Sequence, residues 1–454
     1  MPFKGTLNDE VNEKLNDLIV LIYPYFKTED NINQKFFNPL GIAFLSALLK
    51  ERGLKVVKID CTFRMFDEVI EQIVILRPKI IGFYTMVTFT KNINDLIEAI
   101  RPIFPESLYI CGGPLATLFP KAFSRKFDIV FKGEMDATFT NFVRDYFEHG
   151  ASKKYFILKR NLSKYSGIYV NKRYKFFETK VIHLSEKEFK TLPLPDREDF
   201  DHVKYQKFWQ EKEGMKSTSI ITTVGCPFNC DFCSKPIFGN YLRKRNINDI
   251  MKEIEHIKSL GYNHLWISDD CLTLDLKFLN EFCDRLIEKN FDIKWSCLSR
   301  ADILDFKVFK KMKRAGCEKV YLGLESGNDE ILKLMGKNLT VNMGRKAVAL
   351  YKKALIQVAG FFIVGYPGET WETIDQTFDY ALELNLDEVS FNVPYPLPGS
   401  DLFERISMID FDKDWVVENE IKFVYDSVFE EEIINQKIEN FYKEYEKKQL
   451  LNII

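Results

Sequence analysis

Ser217-Thr-Ser-Ile-Ile-Thr-Thr-Val-Gly-Cys226-Pro-Phe-Asn-Cys230-Asp-Phe-Cys233 runs a β-rich segment into three cysteines separated by gaps of three and two residues. Three thiolates at that spacing can close round a compact metal centre from a single loop. A structural zinc site wants four protein ligands, commonly as two separated Cys-x-x-Cys pairs. No second pair exists in the chain, and His202 and His256 have no ligand-like spacing. Three cysteines on a four-iron cluster would leave one iron open to another molecule.

Working outward toward the C-terminus, candidate strands fall at 217–223, 265–268, 293–297, 319–323, 359–364 and 388–393. Helical patterns separate them at 247–260, 275–289, 305–315, 340–356 and 370–384, and Gly261 and Gly316 stand where a left-handed cap is expected. Six such units predict a partial (β/α)6 TIM-like barrel with its chemistry at the carboxyl ends of the strands. The cysteine loop leaves the first of those strands. Pro394-Tyr-Pro-Leu-Pro398-Gly-Ser400 reads as a rigid closing turn, and 434–454 as a packing helix.

Toward the N-terminus, apolar strands at 18–23, 56–60, 80–83, 108–111 and 128–131 alternate with helical segments such as 39–52. That alternation predicts an α/β, Rossmann-like, doubly wound parallel sheet. Ligands of such sheets bind outside the carboxyl ends of the strands, where Thr85, Gly112-Gly113 and Gly133-Glu134 fall. Without Cβ atoms, Gly112 and Gly113 let the backbone approach a bulky ligand closely. The pattern loosens between 150 and 215, with a hairpin expected around Ser166-Gly167 and a Pro- and Asp-rich linker at 192–201. The expected organisation is a Rossmann-like domain at 1–150, hairpin and linker at 151–210, the partial barrel at 211–404 and a helical extension at 405–454.

Composition narrows the class. The chain has 454 residues and a net charge of −2, which gives no electrostatic case for a nucleic-acid partner. The leading MPFKGTLNDEVNEK lacks the apolar core of a signal peptide, and no run is long enough to span a membrane, so a cytoplasmic enzyme is expected. Six of the nine cysteines are scattered singly among apolar stretches, as reduced buried thiols are. Cys271 and Cys297 are read that way, with a radical-relay thiol as the other reading. Arg243-Lys244-Arg245 is read as a solvated basic run, with a hold on a substrate phosphate or carboxylate as the other reading.

The cysteine spacing, with Phe232 just before the last cysteine, resembles the radical S-adenosylmethionine (SAM) superfamily. That resemblance implies a [4Fe–4S] cluster on Cys226, Cys230 and Cys233 whose free iron chelates SAM. Reductive cleavage then gives a 5′-deoxyadenosyl radical that takes hydrogen from an unactivated carbon, chemistry that cofactors must carry. Asp270 stands where a contact to the SAM amino group falls, although many relatives have Gly-Gly-Glu in place of Ser268-Asp269-Asp270. Arg300 is the candidate for the SAM carboxylate, with a solvated arginine as the other reading. Glu325, in Gly323-Leu-Glu-Ser-Gly327, resembles the residue that binds the ribose, and a carboxylate between strand and helix is costly without a partner. Ile363, in Gly360-Phe-Phe-Ile-Val-Gly365, resembles the residue that packs against adenine.

Residues 17–145 resemble the cobalamin (B12)-binding domain that precedes the radical core in one branch, the class B methyltransferase-like one. The resemblance rests on Asn38-Pro39-Leu40-Gly41, Gly112-Gly113-Pro114 with Thr117, and Gly133-Glu134 with Thr138, and it makes Thr85, Gly112 and Gly113 candidate cofactor contacts. No histidine precedes His149, which excludes the Asp-x-His-x-x-Gly mode of holding cobalt. The expected activity is cobalamin-dependent C-methylation of a small molecule, with a reducing partner such as flavodoxin or ferredoxin. The alternative is a cobalamin-free radical rearrangement, dehydration, cyclisation or decarboxylation with the first domain as scaffold. RNA methylthiotransferases also carry the cysteine spacing, but their second cysteine triad and RNA-binding barrel are absent here.

Overall fold

Short runs of Ile, Val, Phe and Tyr bounded by Gly, Pro and polar residues form the strands, and amphipathic segments between them form the helices. The computed structural model describes residues 17–453 apart from 28–34, 135, 158, 173–174, 234–236, 398, 407–424 and 426. The leading segment read for targeting and Pro398 of the closing turn therefore lie outside the described residues. So does 407–424 of the helical extension. The chain divides into two units, Met1–Lys204 and Tyr205–Ile454.

In the first unit, β1 (Leu18–Tyr23), β2 (Lys55–Asp60), β3 (Ile80–Tyr84), β4 (Leu108–Gly112) and β5 (Ile129–Phe131) are parallel. Strands β6 (Ile168–Lys172) and β7 (Lys175–Glu178) extend the sheet antiparallel, giving the order β2-β1-β3-β4-β5-β6-β7. The hairpin expected around Ser166-Gly167 thus turns later, between Lys172 and Lys175. Gly167 instead presses on the end of β5, its carbonyl accepting from the Lys132 amide at 2.7 Å, and a Cβ there would stand 2.3 Å from the Lys132 carbonyl oxygen. The linker segment folds back onto the first unit. Asp196 accepts from Ser46 at 2.5 Å and Lys58 at 2.5 Å, and it pairs with Lys50 at 2.8 Å.

In the second unit, β8 (Ser217–Ile220), β11 (His264–Ile267), β12 (Lys294–Ser299), β13 (Cys317–Glu325), β14 (Gln357–Ile363) and β15 (Glu388–Asn392) form a wholly parallel sheet in that order. β9 (Thr223–Val224) and β10 (Arg243–Lys244) make a separate antiparallel ribbon. The predicted single strand over 217–223 is therefore two. Asp269 at the end of β11 takes the Thr222 amide at 2.6 Å and the hydroxyls of Thr222 and Thr223, which draws the chain off the sheet.

One face of this sheet is dry: Ile220, Leu265, Cys297, Leu322, Val358 and Phe362 pack among the flanking helices. The other face keeps Trp266, Leu298 and Phe361 partly exposed, as in an open half-barrel. Capping side chains start the helices, with Asn246, Asp275, Asp305, Asn328, Thr340 and Thr370 accepting first-turn amides. Arg243 and Arg245, expected in solvent, are buried. Their guanidinium groups donate to the Phe238 and Ile221 carbonyls, each at 2.7 Å, and Arg245 pairs with Glu253 at 2.6 Å. The final helix, Glu431–Ile453, lays Ile434 and Phe441 on the core beside β15.

Candidate active site

The cysteine loop follows β9 at the carboxyl edge of the second sheet. Cys226, Cys230 and Cys233 are half-buried, whereas the other six cysteines are buried. Gly225 brings the backbone against the segment just before β10: its φ is +86°, and a Cβ would stand 2.2 Å from the Tyr241 carbonyl oxygen. The Gly225 amide donates to Asp270 at 2.7 Å, and the Cys233 amide to the Cys230 carbonyl at 3.2 Å. Burial pushes the Cys226 thiol up, Asp270 and Cys230 add to this, and the Phe228 amide and Arg300 oppose it. Among the described residues no three His, Cys, Asp or Glu side chains enclose a single metal ion. A four-iron cluster is wider than one ion and spreads its thiolates accordingly. Three solvent-reaching thiols on one loop, with no fourth donor beside them among the described residues, suit such a cluster with an open corner.

The next strand ends carry charge. Asp269, fully enclosed, is pushed up to about 6 by burial against the opposing hydrogen bonds of Thr222 and Thr223. Asp270, raised by burial, uses one oxygen on Gly225. Arg300, after β12, is buried, which removes the solvated reading. It forks onto Asp302 at 2.9–3.1 Å, donates to the Lys337 carbonyl at 3.1 Å and stacks 3.5 Å over the Phe228 ring. Cys297 lies on the helix-facing side of β12, packed in the core.

Glu325 ends β13 at φ +60°, left-handed for a residue with a Cβ, beside a register shift between β13 and β14. Its carboxylate accepts from the Lys337 ammonium at 2.5 Å, and both groups are buried. Gly323 makes room: a Cβ there would lie 2.3 Å from Glu325 Oε1 and 2.7 Å from Lys337 Nζ. Burial alone would lower the Lys337 ammonium, but Glu325 and then Cys230 hold it above its ordinary value. Lys337 also sits 5.9 Å over the Phe232 ring. Phe232 packs against a small cluster of Ile331, Met335, Ile363, Tyr366 and Leu402. The fold therefore gathers Phe232, Glu325 and Ile363 round the cysteine loop, with Lys337 added. Lys337 was not among the sequence candidates; the cost of burying Glu325 signalled that a partner existed, but not which one.

At the strand ends of the first unit, Gly113 has φ +107°, and a Cβ would stand 2.9 Å from the Thr85 carbonyl oxygen. Thr85 is fully buried, and its hydroxyl is occupied, donating to the Gly112 carbonyl and accepting from the Ala116 amide, both at 2.9 Å. It fixes the glycine turn, and its one hydroxyl proton is committed to the Gly112 carbonyl. Thr117 ties this turn to the next, donating to the Gly113 carbonyl and accepting from the Gly133 amide, both at 2.9 Å. Glu134 accepts from the Leu184 amide at 3.0 Å and lies 3.4 Å from His183 Nδ1. Gly133 closes the next turn just as tightly, since a Cβ there would stand 2.4 Å from a Val181 methyl.

Residues 220–381 match the model of the Radical SAM superfamily, and residues 34–143 match that of the B12 binding domain. An uncharacterized methyltransferase of Pyrococcus horikoshii is 29% identical over 385 residues, covering 81% of this chain and 78% of its own. The anaerobic magnesium-protoporphyrin IX monomethyl ester cyclase of Rubrivivax gelatinosus is 26% identical over 83% of this chain and 68% of its own. Among solved structures, the radical SAM methyltransferase TsrM of Kitasatospora setae, with cobalamin and a [4Fe–4S] cluster bound, aligns at a TM-score of 0.74. That alignment covers 85% of this chain and 74% of TsrM at 17% identity, a likeness of fold.

Proposed function

From a chain that belongs to the radical SAM superfamily and carries a B12 binding domain ahead of its radical core, we propose an enzyme that methylates an unactivated carbon of a small molecule. The observation that carries this reading is the set of three solvent-reaching thiols beside the buried Glu325–Lys337 pair, at the carboxyl edge of one parallel sheet. When bound, a reduced [4Fe–4S] cluster supplies the electron that cleaves SAM, and cobalamin supplies a methyl carrier. Cys226, Cys230 and Cys233 hold the cluster. Glu325 receives the ribose hydroxyls, Arg300 and Lys337 bring positive charge toward the SAM carboxylate, and Asp270 faces its amino group. Phe232 and Ile363 keep water from the adenine side. In the first unit Gly112 and Gly113 form the corrin ledge, held in shape by Thr85.

Among the described residues no helix is long and apolar enough to cross a membrane. We place the enzyme in the cytoplasm, where flavodoxin or ferredoxin would reduce it. The test is anaerobic reconstitution with iron, sulfide and hydroxocobalamin. Retained corrin absorbance and reductant-dependent release of 5′-deoxyadenosine are expected. A desalted protein without a corrin band sinks methyl transfer, and one that never cleaves SAM sinks the enzyme reading.

A further inference from the structure

We propose that Asp231, Tyr366 and Arg405 form a clasp that fixes the cysteine loop against the turn after β14 and so positions SAM between the cluster and that turn. This rests on the function proposed above. Asp231 lies between Cys230 and Cys233, and beyond the amide of its neighbour Phe232 its carboxylate is held by side chains from outside the loop. One carboxylate oxygen accepts from the Tyr366 hydroxyl and the other from the Arg405 guanidinium. Arg405 also donates to the Tyr366 hydroxyl at 3.0 Å, closing a three-membered ring of contacts. The Asp231 amide donates to the Met335 carbonyl at 3.1 Å, and its carbonyl accepts from the Leu402 amide at 2.9 Å. One residue thus joins the loop to the segments after β13, β14 and β15.

Chelation by three thiols requires none of this. The Asp231 carboxylate meets the polar end of Tyr366, whose ring packs with Ile331, Met335, Ile363 and Leu402, and withdrawing a charge from water there is costly unless the partners are well placed. An apolar side chain would fill the space without fixing a distance, whereas directed bonds fix one. The turn it grips is itself tied across, the Tyr366 amide donating to the Glu369 carboxylate at 2.8 Å and the Glu369 amide to the Tyr366 carbonyl at 2.9 Å. SAM, bound as proposed, has its methionine end at the cysteine loop and its adenine by Ile363, on two separate elements. A shift of about 1 Å between them would misalign the bond to be cleaved. Asp231, Tyr366 and Arg405 are positioning residues, since none of them needs to touch SAM.

The test uses the reconstituted full chain and its Tyr366→Phe, Arg405→Gln and Arg405→Lys variants. Iron content and the electron paramagnetic resonance spectrum of the reduced, SAM-free cluster should match wild type. Tyr366→Phe and Arg405→Gln should weaken SAM binding about tenfold, as loss of one charge-assisted hydrogen bond does, and shrink the spectral change that SAM induces. Arg405→Lys, which keeps the charge, should restore most of both. The clasp is overturned if Tyr366→Phe and Arg405→Gln bind SAM as wild type does. It is equally overturned if they lose iron in proportion to the lost binding, for then it only holds the loop together. A wild-type cluster that ignores SAM overturns both the clasp and the proposed function, so the two failures are told apart.

Discussion

Each of the three half-buried thiols makes a separate prediction. Alanine at Cys226, Cys230 or Cys233 should abolish the cluster's visible absorbance and SAM cleavage after reconstitution. Alanine at Cys283 or Cys317, which are buried, should leave the absorbance in place. Lys337→Met strands a buried carboxylate on Glu325 and should cost about 3 kcal/mol, read as a lower melting temperature. Adding Glu325→Gln should recover much of that stability and none of the SAM affinity. Glu369 supplies a pH dependence: burial pushes its carboxyl up to about 7 from 4.5, against the opposing amides of Tyr366 and Gly365. A raised acid stabilises the fold below its unfolded value, and that stability is lost as pH rises through the folded one. Unfolding free energy should therefore drop by about 3 kcal/mol between roughly pH 4.5 and 7, and Glu369→Gln should flatten that slope in denaturant titrations. At this scale the sequence singled out Cys226, Cys230, Cys233 and Glu325, which the fold brings near one another. It was silent on Lys337 and Arg405, because a partner reached across a fold leaves no periodic trace.

Strands and helices were far more legible, because buried parallel strands are continuous apolar runs and their helices begin on capping side chains. The errors share one cause. Asp269 splitting the first barrel strand, Gly167 pressing on β5, and Arg243 and Arg245 bonding to carbonyls are all tertiary contacts that override a local pattern. The glycine turn after β4 offers a test of an element. Gly113→Ala must hold φ +107° and meet the Thr85 carbonyl, so it should destabilise the first unit by about 1–3 kcal/mol. Corrin retention on a desalting column should fall with it, while the iron content of the second unit stays unchanged.

At the scale of the whole chain, two units with separate cores should answer separately to their ligands. Cobalamin at a hundredfold excess over its Kd should stabilise the first by about 2.7 kcal/mol, and cobalamin-dependent protection from hydrogen exchange should include the turns at Thr85 and Gly113. The strand order of the second sheet bears on how the enzyme is made. Its parallel strands lie side by side in the order of synthesis, so each can dock on the one before as the chain emerges. The cysteines appear with the first of them, but Arg405 follows Asp231 by 174 residues. At about 5–20 residues per second, the thiols stand open for roughly 10 to 35 s before the last contact arrives. A nascent chain should therefore accept iron and sulfide faster than the finished fold, and assembly machinery working during translation would meet the loop at its most accessible.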